Sequence, residues 1–155
     1  MKGHPQVIEH FNALLAGELT AIDQYFIHSR MYQDFGLSKL YHKLNHEMAE
    51  EQLHADLLIQ RILFLEGKPD LSKRSPMNVG ENVAAMLKCD LGLEYQVIDH
   101  LRKVMAFCES VQDFESRDIL LKLLKDTEED HTYWLETQLR LIDSVGLPNY
   151  LQSQM

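Results

Sequence analysis

Apolar residues recur along almost the whole chain at spacings of three and four, the signature of helices buried on one face. The first such segment runs from about 5 to 34, with Val7, Phe11, Leu14, Leu15, Ile22, Tyr25 and Phe26 on its stripe. Pro5 suits a first helical turn, and Asp34-Phe35-Gly36-Leu37-Ser38 breaks the pattern, Gly36 as a stop and Ser38 as a candidate N-cap. A second segment spans about 39 to 66 and ends at Gly67-Lys68-Pro69. Residues 67 to 81, rich in Gly, Pro, Ser and Asn, form the only long loop. A third helix follows over about 82 to 112. After a short break with Ser116 as a cap, a fourth runs from about 117 to 145 and stops at Gly146. Leu147-Pro148-Asn149-Tyr150-Leu151 begins a short fifth helix. Short connections make antiparallel neighbours, and a long one can cross the bundle. Short, long, short predicts an all-α, up-down-down-up four-helix bundle with one crossover, and no strand pattern competes with it.

The chain's 155 residues are enough for a single domain, 1–155, with one core. Hydrophobic residues at 45% and charged residues at 25% are ordinary for a globular protein. The formal net charge of −9 makes nucleic acid and anionic membrane unexpected partners. Two cysteines without a C-x-x-C argue against a disulfide framework or a thiolate metal site, and a reducing cytoplasm is the expected compartment. Met1-Lys2-Gly3-His4-Pro5 lacks the apolar run of a signal peptide, and no apolar run is long enough to span a bilayer.

The chemistry lies where charge interrupts the apolar stripes. Glu18 does so on the first helix and Glu94 on the third. The second helix reads Leu44, Met48, Glu51, His54/Ala55, Leu58, Ile62; the fourth reads Leu121, Leu124, Glu128, His131, Leu135, Leu139, Ile142. Each carries Glu-x-x-His in mid-stripe, which puts both side chains on one face of an α-helix. Glu51 follows Glu18 by 33 positions and Glu128 follows Glu94 by 34, so the halves repeat one pattern. A lone Glu-x-x-His means little, and a lone inward Glu usually reaches solvent. Two motifs with two matched Glu residues are another matter. Four buried carboxylates would repel one another and resist ionisation, whereas two divalent cations balance them. Glu and His together suit iron, manganese or zinc, and the arrangement is the di-metal pattern of ferritin-like bundles. His46 and Glu50 flank the second motif and are either solvated or an accessory iron site. Tyr25 can hydrogen-bond a ligand or donate an electron. His4, His10, His28, His42 and His100 have no assignable partner, and Trp134 and the Met residues read as filler.

The sequence resembles the bacterioferritin-type bacterial ferritins over nearly its whole length. The resemblance rests on Gly17-Glu18-Leu19, Asp23-Gln24-Tyr25-Phe26, Glu51-x-x-His54-Ala55-Asp56, Arg61 to Gly67 and Asp90-x-x-x-Glu94. It continues through Ser116-Arg117-Asp118, Glu128-x-x-His131 with Trp134-Leu135-Glu136, and Asn149-Tyr150-Leu151-Gln152. It implies a ferroxidase with two irons per subunit, Glu51 and Glu128 bridging them and Glu18/His54 and Glu94/His131 terminal. It implies a hollow cytoplasmic shell of 24 copies that oxidises Fe(II) with O2 or peroxide and stores ferric mineral, His46 and Glu50 falling at an inner-surface iron site. The family's haem b is held by a Met in the second helix; Gln52 stands there, and Met48, one turn earlier, is out of register. Weak or no haem binding is therefore expected, unless a second, haem-binding subunit co-assembles. Ferredoxin-driven iron release, which runs through haem in the family, is put in question with it. The rival readings are a di-metal oxidoreductase acting on peroxide or an organic substrate, and a non-catalytic shell subunit.

Overall fold

The computed structural model describes residues 1–155. Helices α1 (Pro5–Asp34), α2 (Ser38–Phe64) and α3 (Val83–Ser110) match the first three sequence segments. The fourth is in three pieces: α4 (Phe114–Asp126), a π-helical stretch (Thr127–Thr132) and α5 (Tyr133–Val145). The short C-terminal helix is α6 (Leu147–Ser153).

Two expected caps are corrected. Ser38 is the first residue of α2 behind Leu37, which makes no side-chain cap. The cap of α4 is Asp113, which accepts from the Ser116 amide; Ser116 is an interior partner rather than the cap. At the end of α2 the left-handed residue is Glu66, φ 62°, not Gly67. The Gly67 amide instead donates to the Ile62 carbonyl at 2.8 Å, and a Cβ there would lie 2.6 Å from Ile8 of α1. That glycine answers close helix approach, not backbone conformation.

Cross-helix contacts set the direction of each helix. Along α2, Arg61 meets Asp113, His54 meets Asp126 and Glu51 meets His131, so α2 runs against α4 and α5. Tyr25 and His28 of α1 meet Glu94 and Asp90 of α3 in reverse order, so α1 runs against α3. With short turns joining α1 to α2 and α3 to α4, the order is up-down-down-up.

The crossover, residues 65–82, has no strand partner, and α1 supplies one. Thr20, Gln24 and His28 lie one helical turn apart, all buried. They accept the backbone amides of Ser75 at 2.8 Å, Asn78 at 3.1 Å and Gly80 at 3.1 Å. Asp90 of α3 then accepts from Gln24 at 2.7 Å and from His28 Nδ1 at 2.9 Å. Because His28 accepts from Gly80 at Nε2, its proton sits on Nδ1. This ladder satisfies amides that an extended chain would otherwise leave orphaned.

The core comes in two parts. One gathers Phe11, Leu15, Leu58, Ile62, Leu101 and Leu120; the other gathers Tyr25, Leu40, Leu44, Met86, Leu87 and Tyr150. Between them lies a buried polar layer.

Candidate metal centre

The layer is made by polar residues that interrupt the four inward stripes, two of them from α2. Glu18, Glu51, His54, Glu94 and His131 are all at most 2% exposed. Their ligand atoms form two groups, Glu18/Glu51/His54 and Glu51/Glu94/His131, which share Glu51. His54 Nδ1 lies 3.4 Å from Glu51 Oε2 and 3.8 Å from Glu18 Oε2. His131 Nδ1 lies 2.8 Å from Glu51 Oε1 and 3.5 Å from Glu94 Oε1. The two imidazoles are nearly parallel, 5.8 Å apart. Both Glu18 oxygens and both Nδ1 atoms are buried without a hydrogen-bond partner. Such groups are costly unless something else binds them, and the unmatched donors here fit a pair of divalent metal ions.

The electrostatics fit as well. Burial, then repulsion from Glu51, drives the Glu18 carboxyl well above its ordinary range, and the same two causes raise Glu94. Burial also opposes ionisation of Glu51, but its close contacts with Glu18, His131 and His54 outweigh it and hold Glu51 low. Burial would depress His54, yet Glu18 and Glu51 push it up to about 11. His131 is driven up further by Glu47, Glu51 and Glu94 against the same desolvation. Without metal, protons balance the carboxylates.

Glu128 is the exception among the expected ligands. Its side chain is 39% exposed and accepts from Arg102 Nη2 at 2.8 Å. The cause is the π-helical stretch. Counting back from His131 in α-helical steps gives 128, 124 and 121, but the wide turn holds one residue more. The buried face upstream is therefore Thr127, Leu123 and Leu120, and Leu121 is 51% exposed. The inward place expected for Glu128 belongs to Thr127, whose hydroxyl bonds back to the Leu123 carbonyl.

Two carboxylates that the sequence did not single out touch the site. Glu47 is buried, with Oε2 2.7 Å from His131 Nε2 and Oε1 2.7 Å from Lys43 Nζ. Asp126 Oδ2 accepts at 3.1 Å from His54 Nε2. The sequence does carry a signal for Glu47: Leu40, Leu44, Glu47, Glu51 and His54 alternate by four and three, although Met48 fits the stripe as an apolar residue in its place. Asp126 gave no such signal, because its reach to His54 depends on the π turn.

Tyr25 donates its hydroxyl to Glu94 Oε1, and its own ionisation is pushed up by burial and by the surrounding carboxylates. His46 and Glu50 stand 3.7 Å apart at the surface. With Glu47, Glu129, Asp130 and His131 they line an acidic surface cavity of about 340 Å³ next to the centre. Gln52 is exposed in a groove with Leu19, Ile22, Ala55, Ile59, Asp23, Asp56 and Arg74, whereas Met48 is half-buried and packs against the core that holds Leu44.

The model of the ferritin-like domain matches residues 8–145. The chain belongs to the ferritin family. It is 62% identical to a bacterial ferritin of Synechocystis over 155 residues, all of this chain and 99% of that protein. A bacterial ferritin of Pseudomonas aeruginosa is 59% identical with both chains fully covered. A bacterioferritin of Rhodobacter capsulatus is 45% identical over 146 residues, 94% of this chain and 90% of that one. The ferritin bundle thus carries its polar layer where the resemblance in the sequence implied a metal pair. No helix of this ferritin is long and apolar enough to cross a membrane.

Proposed function

We propose that this ferritin stores iron and is a ferroxidase, oxidising Fe(II) at the paired centre before the ferric product is laid down inside a shell. The observation that carries this reading is Glu51 shared between two buried Glu/His groups whose Nδ1 atoms, and both oxygens of Glu18, lack partners. Glu18 and His54 hold one Fe(II), Glu94 and His131 the other, and Glu51 lies between them. Glu128, expected as a sixth ligand, is held by Arg102 at the edge of the bundle and joins only by leaving it. Two Fe(II) give up two electrons to one O2, which takes two protons and leaves as hydrogen peroxide. A peroxide molecule instead takes the two electrons and two protons and leaves as two waters. Tyr25, on Glu94, orients that carboxylate.

The cavity between Tyr25, Leu44, Glu47, His131, Trp134 and Leu135 is about 10 Å³, room for about one water. Exposed Phe26, Leu53, Phe64 and Tyr133 supply apolar surface for assembly into the family's homo-oligomeric shell, taken as 24 copies in the cytoplasm. His46 and Glu50 receive iron on the inner surface. Haem is bound weakly or not at all by this subunit alone, and ferredoxin-driven release then needs a haem-bearing partner subunit.

The test is anaerobic titration of metal-free protein with Fe(II), then admission of O2, followed by absorbance. A fast phase saturating at about two irons per subunit, absent in Glu18→Ala and His131→Ala, is expected. No fast phase in the wild type overturns the ferroxidase reading.

A further inference from the structure

The two histidines are approached alike from outside the layer, His54 by a hydrogen bond and His131 by a short ion-pair contact in which Glu47 Oε2 has no aligned hydrogen bond. Each turns Nδ1 into the carboxylate layer and Nε2 toward a carboxylate that belongs to neither ligand group: Asp126 for His54 at 3.1 Å, Glu47 for His131 at 2.7 Å. The holding is reciprocal. Glu47 of α2 holds the histidine of the π turn, and Asp126 at the end of α4 holds the histidine of α2.

We propose that Glu47 and Asp126 are positioning residues for the metal pair, each fixing one imidazole with its proton on Nε2 and its Nδ1 lone pair toward the metal. This rests on the paired-metal reading above. A neutral imidazole has one donor and one acceptor nitrogen, and a carboxylate at Nε2 settles which is which. It also fixes the ring plane and makes Nδ1 a stronger base, which is how outer carboxylates act on metal-bound histidines elsewhere.

The two supports differ. Glu47 is buried and fastened by Lys43, whose ammonium lies 5.2 Å from the centre of the Trp134 ring. Asp126 is 27% exposed, and His54 is its one side-chain partner. The Glu51/Glu94/His131 half is thus the more rigidly prepared, and loss of Glu47 has the larger effect. The π turn makes the arrangement possible: five residues complete about one wide turn, so Asp126 and His131 both face α2, where regular α-helical winding would set them apart.

The experiment is anaerobic titration of the full-length metal-free protein with Co(II), reading stoichiometry and affinity from the visible absorption. Wild type is compared with Glu47→Ala, Glu47→Gln, Asp126→Ala and Asp126→Asn. Wild type takes two Co(II) per subunit. Each Ala variant still takes two, but one of them binds about 10- to 100-fold more weakly. The weakened site has one spectrum in the Glu47 variant and another in the Asp126 variant. The Gln and Asn variants recover most of the loss, since an amide oxygen still accepts from Nε2–H. Equal weakening of both sites, or wild-type affinity in the Ala variants, overturns the proposal. Loss of one Co(II) outright in every Glu47 variant also overturns it, by making Glu47 a ligand. If the Ala variants fail to fold, the amide variants decide: both sites near wild type supports the proposal, and one site lost overturns it. Wild type that binds no Co(II) overturns the metal reading itself, and the positioning role with it.

Discussion

Arg102 Nη2 donates to Glu128 Oε1 at 2.8 Å on the outer edge of the bundle, one helical position away from the inward place held by Thr127. If Glu128 serves as the sixth ligand, this exposed pair competes with metal. Exposed ion pairs are worth up to about 1 kcal/mol, so the competition is mild. Arg102→Ala is expected to tighten metal binding by at most about fivefold. Glu128→Ala is expected to weaken it much less than Glu94→Ala does. Calorimetric titration with Zn(II) checks both. Equal losses for Glu128→Ala and Glu94→Ala would mean that Glu128 is as firmly placed as the buried ligands.

That pair also shows where sequence reading fails. Glu18, Glu51, His54, Glu94 and His131 were legible because each breaks an otherwise apolar stripe. The bundle was legible because the turn residues cluster at Gly36, residues 67–81, Asp113 and Gly146. Glu128 was misplaced because the stripe was extrapolated at a constant period through a stretch with one residue more per turn. The 34-residue spacing of Glu94 and Glu128, against 33 for Glu18 and Glu51, held the sign of that extra residue. Glu47 is masked in the sequence by its apolar neighbour Met48, which fits the same stripe at a spacing of four from Leu44. His28 found its partner only in the fold, since Asp90 and Gly80 are more than fifty positions away.

The protons on the metal-free centre set its pH dependence. His54 is raised to about 11 and His131 is raised further, so at neutral pH both imidazoles carry protons that metal must displace. Filling the pair at pH 7 is expected to release roughly two protons per subunit, one from each imidazole. Acid therefore weakens binding and alkali strengthens it. Anaerobic Zn(II) titration in weakly buffered solution with a pH indicator counts the protons. Stability of the metal-free bundle runs the other way. A raised histidine stabilises the fold fully below its unfolded value near 6.5, and that contribution is lost as pH rises through about 11. Melting curves of metal-free and metal-loaded protein should diverge as pH rises from 8 to 10.5.

The surface groove around Gln52 offers a gain-of-function test. Leu19, Ile22, Ala55 and Ile59 line it together with Asp23, Asp56 and Arg74, and no thioether is among them. Gln52→Met is expected to confer haem binding at about one haem per two subunits, seen as a Soret band, with the wild type showing little. A full Soret band in pure wild-type protein would show that the groove needs no Met.

The ladder from α1 to the crossover ties the fold to Asp90. In His28→Leu the Gly80 amide loses its acceptor and Asp90 loses one of its two donors. Burial already pushes the Asp90 carboxyl up, and losing the His28 donor removes the strongest opposing influence. The expected cost is about 2–4 kcal/mol, the range for stranding buried polar groups. For a chain of this size that lowers Tm by roughly 5–15 °C. Hydrogen exchange localises the effect: the amides of Ser75, Asn78 and Gly80 should lose protection, while those in the middle of α2 keep it. Uniform loss of protection would instead mean that the ladder holds the bundle as a whole.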